Sequence, residues 1–149
     1  MTEVGIDTSV LIGLLDTKDV WHRPAVALKQ ALQEHQEEVA VFDCVLVEAI
    51  SAMARRIHEQ RRVADLDHLL ARILADYPPD DILWVLPDVP ALYTDVVELV
   101  GSSRGELNFN DALIALSCRH RGISRIASFD RDFDRVAWLQ RVAQPEDLG

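Results

Sequence analysis

The sequence predicts an α/β fold, with a short and mainly parallel central sheet and helices on both of its faces. Three observations predict it. Short apolar runs of strand length alternate with longer segments whose apolar residues recur at helical spacing. The first run ends on Asp7 and the third on the acidic loop 129–134. The carboxyl ends of parallel strands are where open α/β sheets bind ligands. At 149 residues, 49% of them apolar, the chain is long enough for one substantial core.

The first run, Glu3-Val4-Gly5-Ile6, reads as a buried strand that delivers Asp7. Thr8 and Ser9 then turn the chain into a helix, short over 10–15, and 16–23 is a loop. Pro24 opens a helix to about residue 36, with Ala25, Leu28, Ala31 and Leu32 on its apolar face. After a polar turn at 34–38, residues 39–42 are extended. Asp43 is placed to cap a helix over 44–60, whose buried stripe is Val45, Leu46, Ala49, Ile50, Met53 and Ile57. Glu48 lies off that stripe among the small neighbours Cys44, Ser51 and Ala52, with Arg55 two turns on. Another amphipathic helix covers 63–76 and is broken by Tyr77-Pro78-Pro79. Residues 82–86 read as a second strand stopped by Pro87, 91–100 as a helix and 101–105 as a flexible loop. Asn108-Phe109-Asn110-Asp111 opens the clearest helix, 112–121, which Gly122 ends. A third strand at 124–128 leads into Phe129-Asp130-Arg131-Asp132-Phe133-Asp134, and 136–142 holds a final short strand.

These elements make one domain over 1–143 and a short tail, 144–149, the one place where disorder is expected. No apolar run is long enough to span a bilayer, and no basic region followed by an apolar one opens the chain, so the expected compartment is the cytoplasm. Cys44 and Cys118 lie in apolar helical contexts and read as buried reduced thiols. The net charge of −10 argues against general affinity for nucleic acid. The 15 basic residues are unevenly made, 13 Arg against two Lys, and two clusters stand out. One is Arg55, Arg56, His58, Arg61 and Arg62, the other Arg119, His120, Arg121 and Arg125. A basic rim beside an acidic centre is compatible with that placing.

Four acidic positions carry the chemical argument: Asp7, Glu48, Asp111 and Asp130. Hard divalent cations take oxygen ligands and are held by a few carboxylates with water and substrate phosphate. Carboxylates gathered at close range need a counter-charge or raised pKa values. One or two metals can activate a water and stabilise the leaving oxygen of a phosphodiester. Each residue also has a local explanation. Asp7 suits a turn or cap, Glu48 a solvated flank, and Asp111 a capping box with Asn108. Asp130, Asp132 and Asp134 suit a solvated loop. Joint order and context set the four apart.

Other chemistries lack their residues. A phosphatase with an aspartyl nucleophile of the haloacid-dehalogenase type needs a second Asp where Ser9 stands. That class and receiver domains also need a late Lys, and none follows Lys29. There is no phosphate-binding Gly-Lys-Ser/Thr and no Gly-x-Ser-x-Gly elbow. His22, His35, His58, His68 and His120 show no zinc spacing.

The pattern Ile6-Asp7-Thr8-Ser9-Val10-Leu11, then Val47-Glu48, then Asn110-Asp111-Ala112-Leu113-Ile114-Ala115, then Ser128-Phe129-Asp130-Arg131-Asp132-Phe133 resembles the PIN-domain family. Within it the pattern is most similar to the VapC-type toxins of bacterial toxin–antitoxin pairs, over essentially the whole chain. The resemblance implies a three-layer α/β/α fold and a Mg²⁺- or Mn²⁺-dependent ribonuclease. It implies Asp7, Glu48, Asp111 and Asp130 as the acidic quartet, with Asp7 and Asp111 the principal metal ligands. Ser9 and Ser128 would support them. The last loop offers Asp132 and Asp134 as further candidates for the fourth role. Arg55, Arg104 and Arg119 are candidate phosphate contacts. By the same resemblance the partners are an RNA substrate, a second copy in a homodimer, and a small antitoxin that sets a basic side chain among the acids. Two alternatives remain open, an RNA-processing nuclease without toxin role and a catalytically silent binding module of the same fold.

Overall fold

The computed structural model describes residues 3–149. Its centre is a four-stranded sheet of β1 (Glu3–Ile6), β2 (Glu38–Ala40), β3 (Arg125–Ala127) and β4 (Gln140–Val142). The order is β2-β1-β3-β4 and every pairing is parallel. Parallel neighbours require crossovers, and the helices supply them. Among the described residues these are α1 (Thr8–Leu15), α2 (His22–Glu34), α3 (Asp43–Glu59), α4 (Val63–Asp76), α5 (Val89–Ser102) and α6 (Phe109–His120). They flank the sheet in the three-layer α/β/α arrangement that the sequence predicts.

Beyond their first residues, Glu3 and Arg125, the central strands carry nothing polar, and that part of the sheet is buried. Val4, Gly5 and Ile6 of β1, and Ile126 and Ala127 of β3, are all buried. Gly5 is there for closeness: a Cβ would come within 3.2 Å of Cys118 Sγ on α6. The helix it admits is buried from Asp111 through Cys118, and a helix buried all round belongs in the core. Its C-terminus closes in a Schellman turn. Ile123 N–H donates to Cys118 O at 2.8 Å and Gly122 N–H to Arg119 O at 3.2 Å, with Gly122 at φ +70°. Cys44 and Cys118 are free and buried, and burial pushes both thiols up to about 12. No helix among the described residues is long and apolar enough to cross a membrane.

Three expectations need correction. The strand expected at 82–86 is a single bridge, Leu83 beside Phe42. Asp43 explains the stop. It lies inside α3, with Phe42 as N-cap, and its carboxylate accepts the N–H groups of Val85 at 2.9 Å and Leu86 at 2.8 Å. Those donors are lost to pairing, and Pro87 follows in a 3-10 turn, Leu86–Asp88. Asp43 therefore ties a crossing segment to the start of α3 in addition to the Cys44 N–H it accepts. The loop expected from residue 101 begins later, because α5 runs to Ser102. The tail is ordered in its described part: Pro145–Leu148 form a 3-10 turn against α2, and Asp147 accepts the N–H of Ala143 and Gln144.

Two arginines of the first cluster, Arg56 on α3 and Arg62 just before α4, are spent on a loop. Asp16, 4% exposed, accepts Arg62 at 2.9 Å, Arg56 at 3.2 Å and the Lys18 N–H at 3.1 Å. Burial acts to raise this carboxyl, but those bonds outweigh it and hold it below its ordinary value. Arg56 also reaches Asp19 at 2.7 Å, and Asp19 accepts the Trp21 N–H at 3.0 Å. The 16–21 loop is thus fastened to α3 at two carboxylates.

Candidate active site

The register of β1 and β3 builds the site. Ile6 lies opposite Ala127, so the next residues, Asp7 and Ser128, emerge side by side at the carboxyl edge. Asp7 N–H continues the ladder to Ala127 O at 2.9 Å. Ser128 Oγ donates to Asp7 Oδ2 at 2.7 Å, and Ser9 Oγ donates to the same oxygen at 3.0 Å. Each hydroxyl also accepts a backbone N–H of the following turn, Ser128 from Asp130 at 2.9 Å and Ser9 from Phe129 at 3.1 Å. Hydroxyls that accept on one side and donate on the other orient a carboxylate firmly. Burial nevertheless wins: it raises the Asp7 carboxyl above its ordinary value against both serine bonds, and the Asp130 charge adds to the rise.

Asp111 enters from α6. Asn108 Oδ1 accepts the Asp111 N–H at 2.8 Å, and Asp111 Oδ2 accepts the Asn108 N–H at 3.2 Å, a complete capping box. The box engages one carboxylate oxygen, Oδ2, and leaves the other outside it. Burial pushes Asp111 up to about 7, the Asn108 N–H acts against this, and the charges of Asp7, Asp130 and Glu48 push further. The four acids singled out in the sequence therefore lie within one another's field. Glu48, half-buried on α3, is held by two groups that the sequence reading did not assign to it. Thr8 Oγ1 donates to Glu48 Oε2 at 3.3 Å, and Asn110 Nδ2 donates to the same oxygen. Asn110 was legible only as part of the motif around Asp111.

The three loop aspartates differ. Asp130 Oδ1 accepts the Asp132 N–H at 2.9 Å and caps the 3-10 turn Arg131–Arg135. Asp134 is committed to Arg141, with bonds of 2.9 and 3.2 Å. Asp132 is half-buried; burial and then Asp130 raise its carboxyl. Of the three, Asp130 is the one whose charge raises both Asp7 and Asp111.

The arginines divide likewise. Arg55 is exposed in a shallow groove that it lines with Glu48, Ser51 and Ala52. Arg104 is exposed at φ 55° in the turn before α6. Arg119 sits eight residues along α6 from Asp111, about 12 Å at 1.5 Å per residue. Its guanidinium lies 4.8 Å over the Trp138 ring, at the other end of the helix. Arg56 and Arg62 belong to Asp16, as described, so the basic rim is thinner than the sequence suggests.

The donor set suits a hard divalent cation: four carboxylates in mutual repulsion, with no cation among the leading influences on Asp7 or Asp111. Among the described residues no three His, Cys, Asp or Glu side chains close round a common point. The arrangement fits an ion of the Mg²⁺ kind, held by one or two carboxylates and completed by water and substrate oxygen.

Known proteins bear on this geometry in two ways. The crystal structure of VapC20 from Mycobacterium tuberculosis, described as a sarcin–ricin loop cleaving toxin, has a similar fold. The TM-score is 0.68 at 22% identity, over 91% of this chain and 96% of that one. No curated protein matches the sequence. The PIN domain family model matches residues 4–139, a span that takes in β1 with Asp7, α3 with Glu48, α6 with Asp111 and the Asp130 turn. The chain belongs to the PIN-domain family.

Proposed function

We propose that this protein is a Mg²⁺- or Mn²⁺-dependent endoribonuclease that hydrolyses RNA phosphodiester bonds. The observation that carries the reading is that Asp7, Asp130 and Glu48 all act on Asp111, which burial and their charges push up to about 7. A bound divalent ion supplies water activation and neutralises charge on the leaving oxygen. Asp7 and Asp111 would hold it, and Glu48 and Asp130 would complete the site directly or through water. Ser9 and Ser128 keep Asp7 turned toward that point, and Thr8 and Asn110 do the same for Glu48. Of the candidate phosphate contacts, Arg55 and Arg104 are exposed and, among the described residues, engaged by no aromatic ring, and these would meet RNA phosphates.

The biological role we infer is that of the toxin of a type II toxin–antitoxin pair, working in the cytoplasm as a homodimer. The similarity of fold to VapC20 supports this role. A net charge of −10 with an acidic centre favours a basic antitoxin segment as the neutralising partner.

The test is cleavage of single-stranded and hairpin RNA by purified protein with Mg²⁺ or Mn²⁺, with and without EDTA. A sarcin–ricin loop hairpin is the first structured substrate to try, given what VapC20 is described as cleaving. Cleavage that needs metal and disappears in Asp7→Asn supports the reading. Cleavage by Asp7→Asn at the parent rate refutes the site. A protein that neither cleaves nor is stabilised by Mn²⁺ is a silent binding module instead.

A further inference from the structure

The nuclease reading leaves an aromatic pair unexplained. Trp21 stacks on Phe129 with ring centroids 4.7 Å apart and 12° between the planes. Phe129 is half-buried against the core, whereas Trp21 is 45% exposed. An indole has two faces, and Phe129 covers one. The exposure therefore belongs largely to the other. The indole N–H is open too. Trp84 and Trp138 donate theirs to Pro79 O and Ala115 O, while among the described residues Trp21 Nε1 has no acceptor.

The chain around Phe129 places this open ring beside the acidic centre. Phe129 precedes Asp130, and its N–H donates to Ser9 Oγ, which itself donates to Asp7. The loop that carries Trp21 is also fixed in advance. Asp19 accepts the Trp21 N–H and is gripped by Arg56, and Asp16 joins Arg56 and Arg62 below. Gly13 closes the other side, since a Cβ there would come within 3.1 Å of Trp21 O. A flat, half-open aromatic on a rigid support loses little freedom when something stacks on it.

We propose that Trp21, backed by Phe129, is a stacking platform for one unpaired base of the RNA next to the cleaved bond. The proposal rests on the nuclease reading above. Unpaired bases are recognised by stacking on aromatic side chains, and every base offers a π-face. The phosphate of the same strand is then led toward Asp7 and Asp130. The platform supplies position and affinity in a chain whose net charge repels RNA. The cluster of buried Asp16 with Arg56 and Arg62 thereby acquires a role, which is to hold the platform in place.

The experiment compares parent, Trp21→Phe, Trp21→Leu and Trp21→Ala on a labelled single-stranded oligoribonucleotide that the parent cleaves with Mn²⁺. Truncating a base-stacking aromatic weakens binding about five- to 150-fold. Trp21→Phe should stay within about threefold of the parent in kcat/KM, and Trp21→Leu and Trp21→Ala should lose about tenfold or more. The same loss should appear as weaker binding by anisotropy in the non-cleaving Asp7→Asn background. A single abasic residue placed at the stacked position should erase the difference between parent and Trp21→Leu. Leu still covers Phe129, so its melting temperature controls for folding. If Trp21→Leu matches the parent while the parent cleaves, the platform is refuted and the nuclease stands. If the parent neither cleaves nor binds RNA, both fall.

Discussion

Asp111→Asn separates the electrostatics of the acidic centre from its architecture. Asn can accept the Asn108 N–H as Asp111 does, so the capping box survives. The negative charge does not. In the unfolded chain Asp111 loses its proton near the ordinary 3.8, and in the fold only near 7. Between those values the native state binds more protons than the unfolded state, so stability falls as pH rises. The gap corresponds to roughly 4 kcal/mol at 1.36 kcal/mol per pH unit, and relaxation of the neighbouring acids brings the expected net effect to about 2–3 kcal/mol. Urea unfolding in EDTA at pH 4.5, 6.0 and 7.5, followed by circular dichroism, measures it. Parent and variant should lie closest at pH 4.5 and diverge as pH rises. At pH 7.5 the variant should be the more stable by about 2–3 kcal/mol. Mn²⁺ at 100 times its Kd should then stabilise the parent by about 2.7 kcal/mol and the variant by much less. Parallel pH profiles for the two proteins would show that neither burial nor the charges of Asp7, Asp130 and Glu48 raise the Asp111 carboxyl, and the reasoning would fail.

Asp7→Asn should abolish metal-dependent RNA cleavage, by about a thousandfold or more, and leave the circular dichroism spectrum unchanged. Arg62→Ala removes the closest partner of the buried Asp16 and should cost about 1–3 kcal/mol in urea unfolding. The deficit should shrink below about pH 4, because Asp16 is held below its ordinary value and its stabilising bonds are lost as it protonates. Gly13→Ala tests sign. Helix propensity alone predicts a gain of about 1 kcal/mol, but the new Cβ would sit 2.9 Å from Ala25 Cβ, so a net loss of about 1–3 kcal/mol is expected. A gain would mean that α1 and α2 can move apart freely.

What the sequence discloses depends on how local the cause is. The helix over 63–76 appears with those bounds because its amphipathic stripe needs no partner to be read. The caps of α6 are equally local: Asn108 and Asp111 stand three apart, and Gly122 takes the left-handed conformation. Asp7 is legible at the end of an apolar run. What it rests on is partly remote, since Ser128 comes from a strand 121 residues away. The mistaken strand at 82–86 has the same origin. Its apolar residues suit a strand, and only the carboxylate of Asp43, 42 residues back, takes the donors that would have paired. The arginine cluster reads as a basic rim until Asp16, which looks like an ordinary loop residue, is found buried beneath it. Trp21 and Phe129, 108 positions apart, give no local sign that they meet.

The pairing of β1 with β3 also fixes when the activity can arise during synthesis. Asp7 leaves the ribosome 121 residues before its support at Ser128. A nascent chain that stops short of β3 carries Asp7, Glu48 and Asp111 but no third strand to pair with β1 and no turn to close the acidic centre. On the proposed function, an unfinished product is therefore harmless to the RNA that encodes it and to the machinery making it. On that reading, hydrolytic capacity waits until β3 and the turn after it are free to fold.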